Sequence, residues 1–171
     1  MIKKNLPNLT LMVLVTSCFI QIGAQLFALS VVASTVAEAP PRSFAMLEGE
    51  YGYNSTTFWD IVPTITFVLL LIALVTNWKN QRRKLLLVAF TMFVAAGLLA
   101  GFFLEPVFAE MIARGYSDKV DPILQARSAK WLLLDWMVWG LGLITGLILL
   151  LALVSPVKTT ERTTAGSSHL S

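Results

Sequence analysis

Thiol and imidazole chemistry are almost missing from this chain. Its one cysteine, Cys18, lies inside an apolar run, which excludes an intrachain disulfide, a C-x-x-C redox pair and a cysteine-based zinc or iron–sulfur site. The one histidine, His169, stands near the end of a Ser/Thr/Gly-rich tail and reads as a solvated residue rather than a ligand. There is no glycine-rich phosphate loop, no serine-centred nucleophile elbow, no histidine pair for haem or a metal and no arginine-rich voltage sensor. No cofactor and no metal site are therefore expected. Charge is scarce as well: 13% of the 171 residues are charged against 56% hydrophobic, too apolar for a soluble domain of this size, so the lipid bilayer is the expected solvent. The net charge of +3 does not point to nucleic acid, because the basic residues flank apolar segments instead of forming a patch interleaved with aromatics.

Residues 77–84, NWKNQRRK, hold four of those basic residues, Lys79, Arg82, Arg83 and Lys84, and no acid. Short loops rich in Lys and Arg stay on the cytoplasmic side of a membrane. The apolar runs on either side are each about 20 residues long, which at ~1.5 Å per residue spans a hydrocarbon core of ~30 Å. They read as a helical hairpin with its turn inside. A first apolar run, interrupted by Gln21 and Gln25, is too long for a signal-peptide core and reads as a retained helix. The expectation is an all-α integral membrane four-helix bundle, up-down-up-down, over residues 1–157, with helices at about 9–36, 58–78, 85–112 and 129–154 and a flexible polar cytoplasmic tail at 158–171. Eight basic residues then fall inside and five outside, and every acid except Glu161 falls outside, so both termini should be cytoplasmic, in a bacterial inner membrane. Loop one, 37–57, is acidic and turn-rich, and reads either as a folded cap or as a mobile connection. Pro63 is expected in the first turn of helix two, Pro106 should bend helix three, and Asp121-Pro122 resembles the start of a short interfacial helix.

Counting along these helices places the membrane polar residues in one outer layer. Gln21 and Gln25 share a face of helix one, and Arg127, Trp131 and Asp135 form an i, i+4, i+8 stripe on helix four. A carboxylate facing lipid is costly, so Asp60 and Asp135 should turn inward. One reading is a pocket with Asp60 and Asp135 as its reactive carboxylates, Gln21, Gln25, Trp59, Glu105 and Trp131 lining it, and Arg127 as counter-ion, able to hold a small apolar or aromatic molecule. The plainer reading has the glutamines joining helices through hydrogen bonds, and Glu105 and Glu110 solvated at the interface. Gly97-x-x-x-Gly101 and Gly142-x-x-x-Gly146 are small-residue seams expected to pack helices three and four, or to serve a homo-oligomer.

The order of features, FWDIVPT opening helix two, NWKNQRRKLLL at the inner turn, EPVF ending helix three and ARSAKWLLLDWMVW opening helix four, resembles the small four-helix membrane proteins grouped with the anthrone oxygenases. That resemblance implies cofactor-independent oxygenation of a polycyclic phenolic compound, with Asp60 or Asp135 as the base that removes a C–H proton. Three function classes follow: a protein that binds a small hydrophobic ligand without turnover, an oxygenase of that kind, and an oligomeric small-solute transporter. The last is poorly served by the inner half, where Thr91 and Thr145 are almost the only polar groups on helices three and four.

Overall fold

A computed structural model describes residues 2–156, and among them all regular structure is helical. Four segments are long and apolar enough to cross a membrane: α1 (Asn5–Glu38), α2 (Thr56–Thr76), α3 (Arg83–Ile112) and α4 (Pro122–Val154). The tail expected at 158–171, with His169, lies outside the described residues.

Local chemistry explains where these helices begin. Asn54 Oδ1 accepts the Thr56 N–H at 3.0 Å and starts α2 there. Pro63 consequently sits in the helix interior and not in its first turn, where it removes the N–H that would reach the Trp59 carbonyl. Asp121 caps α4, its Oδ1 accepting the N–H groups of Ile123 and Leu124, with Pro122 at the first helical position. The short interfacial helix expected here is the first two turns of α4 itself, because no glycine or proline separates Ile123 from Lys130. Two helices carry π-helical turns, α1 at Ala28–Ala33 and α3 at Ala100–Leu104, the second leading directly into Pro106. Three residues past the end of α3 the chain turns at Gly115, whose φ of +69° only glycine adopts cheaply.

The core has two parts. The larger one joins Leu11, Leu14, Cys18 and Ile22, a 3–4 residue periodicity on α1, to Leu70 and Ala73 of α2, Leu86 and Ala89 of α3, and Leu149 and Ala152 of α4. The smaller one sits at the other end, where loop one folds as a cap. A 3₁₀ turn at Arg42–Leu47 drives Phe44, 1% exposed, against Val36, Met111 and Leu124. The cap is tied down by Asp121 N–H to the Pro40 carbonyl at 3.0 Å and by Gln125 Nε2 to the Glu38 carbonyl at 2.6 Å. Many large apolar side chains on the outside of the helices are exposed, Phe102, Leu133 and Val75 among them, which is consistent with contact to a lipid bilayer.

At the bridge end, Arg82 is 4% exposed. Its Nε and Nη2 donate to the Ser155 carbonyl at 2.9 and 2.5 Å, Nη2 also donates to the Leu153 carbonyl at 3.1 Å, and Nη1 donates to Asn8 Oδ1 at 2.5 Å. One guanidinium thus closes the last carbonyls of α4 and holds the start of α1. Burial pulls its pKa below the ordinary arginine value. Asn77, fully buried, does the same for α2, donating to the carbonyls of Ala73 at 2.9 Å and Pro7 at 3.4 Å. Hydroxyl pairs continue between α1 and α2: Thr10 with Thr76 at 3.2 Å, and Ser17 with Thr66 at 2.8 Å.

The glycine seams are distributed differently from the sequence expectation. α3 and α4 pack extensively, but Gly97, Gly101 and Gly142 have no atom within 4 Å of a Cβ built on them, and the first two are exposed. Gly146 is the close-approach glycine, and it faces α1: a Cβ there would lie 2.8 Å from Ile22 Cδ1 and 3.4 Å from the Phe19 ring. Spacing on one helix specifies a shared face without specifying which neighbour it meets.

Two outcomes follow. Arg82→Ala should lower unfolding stability in detergent by about 3 kcal/mol, through the stranded carbonyls of α4 and the lost link to Asn8, whereas Arg83→Ala should cost well under about 1 kcal/mol. Equal losses in an SDS-titration unfolding assay would remove the clamp from the account. Gly146→Leu should destabilise by about 2 kcal/mol by forcing Phe19 and Ile22 aside, while Gly97→Leu should be near neutral in the same assay.

Candidate functional site

In the layer between the two cores, polar side chains of α1 and α4 meet. Gln25 of α1 donates from Nε2 to Asp135 Oδ1 of α4 at 3.2 Å. One turn further along each helix, Trp139 Nε1 donates to the Ile22 carbonyl at 3.2 Å. Trp136 stands edge-on to Trp139, with ring centroids 5.6 Å apart. Gln21 lies one turn from Gln25 on the same face, and its Oε1 is buried without a hydrogen-bond donor among the described residues. Gln21, Gln25, Asp135 and Trp139 therefore form one polar node set into apolar surroundings. It has a half-buried carboxylate with a single amide donor and a buried amide oxygen with none.

The other residues expected in the pocket are placed elsewhere. Arg127 is not a counter-ion to Asp135: it forms a two-pronged ion pair with Glu110 of α3, Nη1 to Oε1 at 2.8 Å and Nη2 to Oε2. Arg127 and Asp135 do share a face of α4, but eight residues at ~1.5 Å each put them ~12 Å apart along the axis, and the end of α3 reaches the guanidinium first. Trp131, between them, stacks on Phe108 with centroids 4.9 Å apart and donates from Nε1 to the Leu104 carbonyl at 3.1 Å, at the end of the π-helical turn of α3. Asp60 and Glu105 are exposed, and their carboxylates make no hydrogen bond among the described residues. Trp59 rests edge-on against Phe58 with centroids 5.0 Å apart. The eight expected residues thus divide into the node, the Arg127–Glu110 pair with Trp131 beside it, and Asp60, Trp59 and Glu105 apart from both.

No family model, curated protein or solved structure matches this chain.

What the node can do follows from its own atoms. Among the described residues no three His, Cys, Asp or Glu side chains converge in a way that could hold a metal ion. Asp135 offers an acceptor, Gln21 Oε1 a second one, and the indoles of Trp136 and Trp139 flat apolar faces. Trp139 was the residue sequence reasoning missed, although its signal was available: it stands four residues beyond Asp135, on the same face.

The pairing is testable without a ligand. Gln25→Leu should destabilise the protein by about 1–2 kcal/mol by leaving the Asp135 carboxylate without its donor, and adding Asp135→Leu should restore most of that loss. Additive losses across the two single variants and the double variant, measured by unfolding in mild detergent, would mean the two side chains are not coupled.

Proposed function

We propose that this chain is an integral membrane protein with up-down-up-down helices and both termini cytoplasmic, and that its outer-half node binds a small, largely apolar or aromatic molecule carrying a hydrogen-bond donor. The helix order is supported by contacts that run in opposite directions along neighbouring segments: Thr10–Thr76 then Ser17–Thr66 for α1 and α2, and Ile22–Trp139 then Gln25–Asp135 for α1 and α4. The cytoplasmic assignment of the bridge is supported by its four positive charges without an acid.

The observation that carries the binding reading is the buried Gln21 Oε1 with no donor among the described residues, one turn along α1 from Gln25, the one side chain that donates to the Asp135 carboxylate. Buried acceptors are normally filled, and leaving one empty costs about 1–3 kcal/mol, so a ligand donor is the natural complement. Native mass spectrometry of the protein extracted gently from its own membrane should find a bound molecule of small mass. Gln21→Leu should release it while the helical circular dichroism stays unchanged. A wild-type protein that emerges empty from several membrane extractions would overturn this reading.

Asp135 also favours a second reading, the oxygenase implied by the sequence resemblance. Here the carboxylate takes an acidic C–H proton from an anthrone-like phenolic substrate, and the carbanion reacts with dioxygen to give the quinone and water. In this case Asp135→Asn abolishes oxygen consumption with anthrone while leaving its binding intact, whereas a binding protein consumes none in either form.

A further inference from the structure

The four bridge charges are not equivalent. Arg82 is buried and its donors are spent on α1 and α4, whereas Lys79, Arg83 and Lys84 are exposed and line an open groove with Trp78, Asn80 and Gln81. Among the described residues neither ion pair, Arg114–Asp121 nor Arg127–Glu110, involves these three cations. The Arg83 guanidinium lies over the Trp78 indole, 5.1 Å from its centroid, which holds it at the groove wall. Arg83 and Lys84 also open α3, so the positive end of that helix's dipole lies on the same side. Directly beyond the groove, Leu87 and Val88 of α3 are exposed, an apolar track starting where the charges stop.

We propose that this groove binds the headgroup phosphate of an anionic phospholipid, with an acyl chain lying along the exposed face of α3. Cations and side-chain amides meet the phosphate, an indole sits at headgroup level, and the apolar track takes the chain. A free phosphate ion would use only the first of these. Juxtamembrane cations each strengthen binding to anionic lipid. The inference rests on the membrane reading above, and alkaline carbonate washing of membranes tests that reading separately: a chain released into the supernatant fails there, before any lipid is added.

The experiment uses the full chain, purified in detergent and titrated with phosphatidylglycerol or phosphatidylcholine, read by native mass spectrometry and by Tm. Phosphatidylglycerol should bind and raise Tm, and phosphatidylcholine should do so far less. The triple variant Lys79→Gln, Arg83→Gln, Lys84→Gln, with Arg82 retained, should bind phosphatidylglycerol roughly 100-fold more weakly. In the wild type, which needs no substitution to fold, raising salt from about 0.1 M to about 0.5 M should weaken the binding as well. Equal binding of the two lipids, unchanged binding by a folded triple variant, or indifference to salt overturns the proposal. So does inorganic phosphate that raises Tm as far as phosphatidylglycerol does, which would make the ligand a soluble anion.

Discussion

A buried guanidinium holds the bridge end of this protein together. Arg82 has a permanent charge and five donors, and at 4% exposure it has almost no water to use them on. It resolves this by reaching the carbonyls of Leu153 and Ser155, which the end of α4 leaves unfilled, and the side chain of Asn8 on α1. Asn77 applies the same solution to the end of α2. Two of the helix ends that a bilayer would leave without partners are thereby closed from within, by residues of the intervening bridge. The larger core, with its small residues Ala73, Ala89 and Ala152 close to this end, packs against a frame whose polar accounts are already settled.

Moving away from the bridge, this completeness declines. The hydroxyls between α1 and α2 are paired, and most also bond a carbonyl one turn back in their own helix. Beyond them come the Gln25–Asp135 contact, the donorless Gln21 oxygen and the two π-helical turns at Ala28–Ala33 and Ala100–Leu104. A π-helical turn widens the helix and displaces carbonyls from their usual donors, and such turns recur where helices serve ligands. Trp131 takes one of those carbonyls, that of Leu104, and so stitches α4 to the irregular part of α3. The one buried side-chain oxygen without a partner among the described residues, that of Gln21, thus lies between the hydroxyl-paired half and the two π-helical turns.

Much of the fold was legible because hydropathy and length are coarse, additive signals: four apolar runs became four helices, with ends displaced by a few residues where a local side-chain bond such as that of Asn54 or Asp121 intervened. The site was legible in part. The i, i+4 spacing groups Gln21 with Gln25 and Trp131 with Asp135, but spacing is a property of one helix: Asp135 meets Gln25 of α1 while Trp131 meets Leu104 and Phe108 of α3. Whether Arg127 meets Asp135 or Glu110, and whether Gly97 or Gly146 meets a neighbour, depends on how helices are rotated and staggered against each other, which no single periodicity records. The bridge shows the same limit. Four positive charges in eight residues announce an orientation, yet nothing in the composition marks Arg82 as the one turned inward.

The imbalance within the node bears on why it exists. A purely structural contact between α1 and α4 would need one donor and one acceptor, and interhelical hydrogen bonds of this kind contribute only about 0.6–2 kcal/mol. Gln25 with Asp135 already supplies that contact. Gln21 adds a second amide whose buried oxygen has no donor among the described residues, and an unfilled buried acceptor costs about 1–3 kcal/mol, as much as the neighbouring contact contributes. Leucine at position 21 would pack without that cost. The proposed binding role of this layer rests on that imbalance, because a ligand's donor would complete a hydrogen bond to Gln21 that a leucine could not accept.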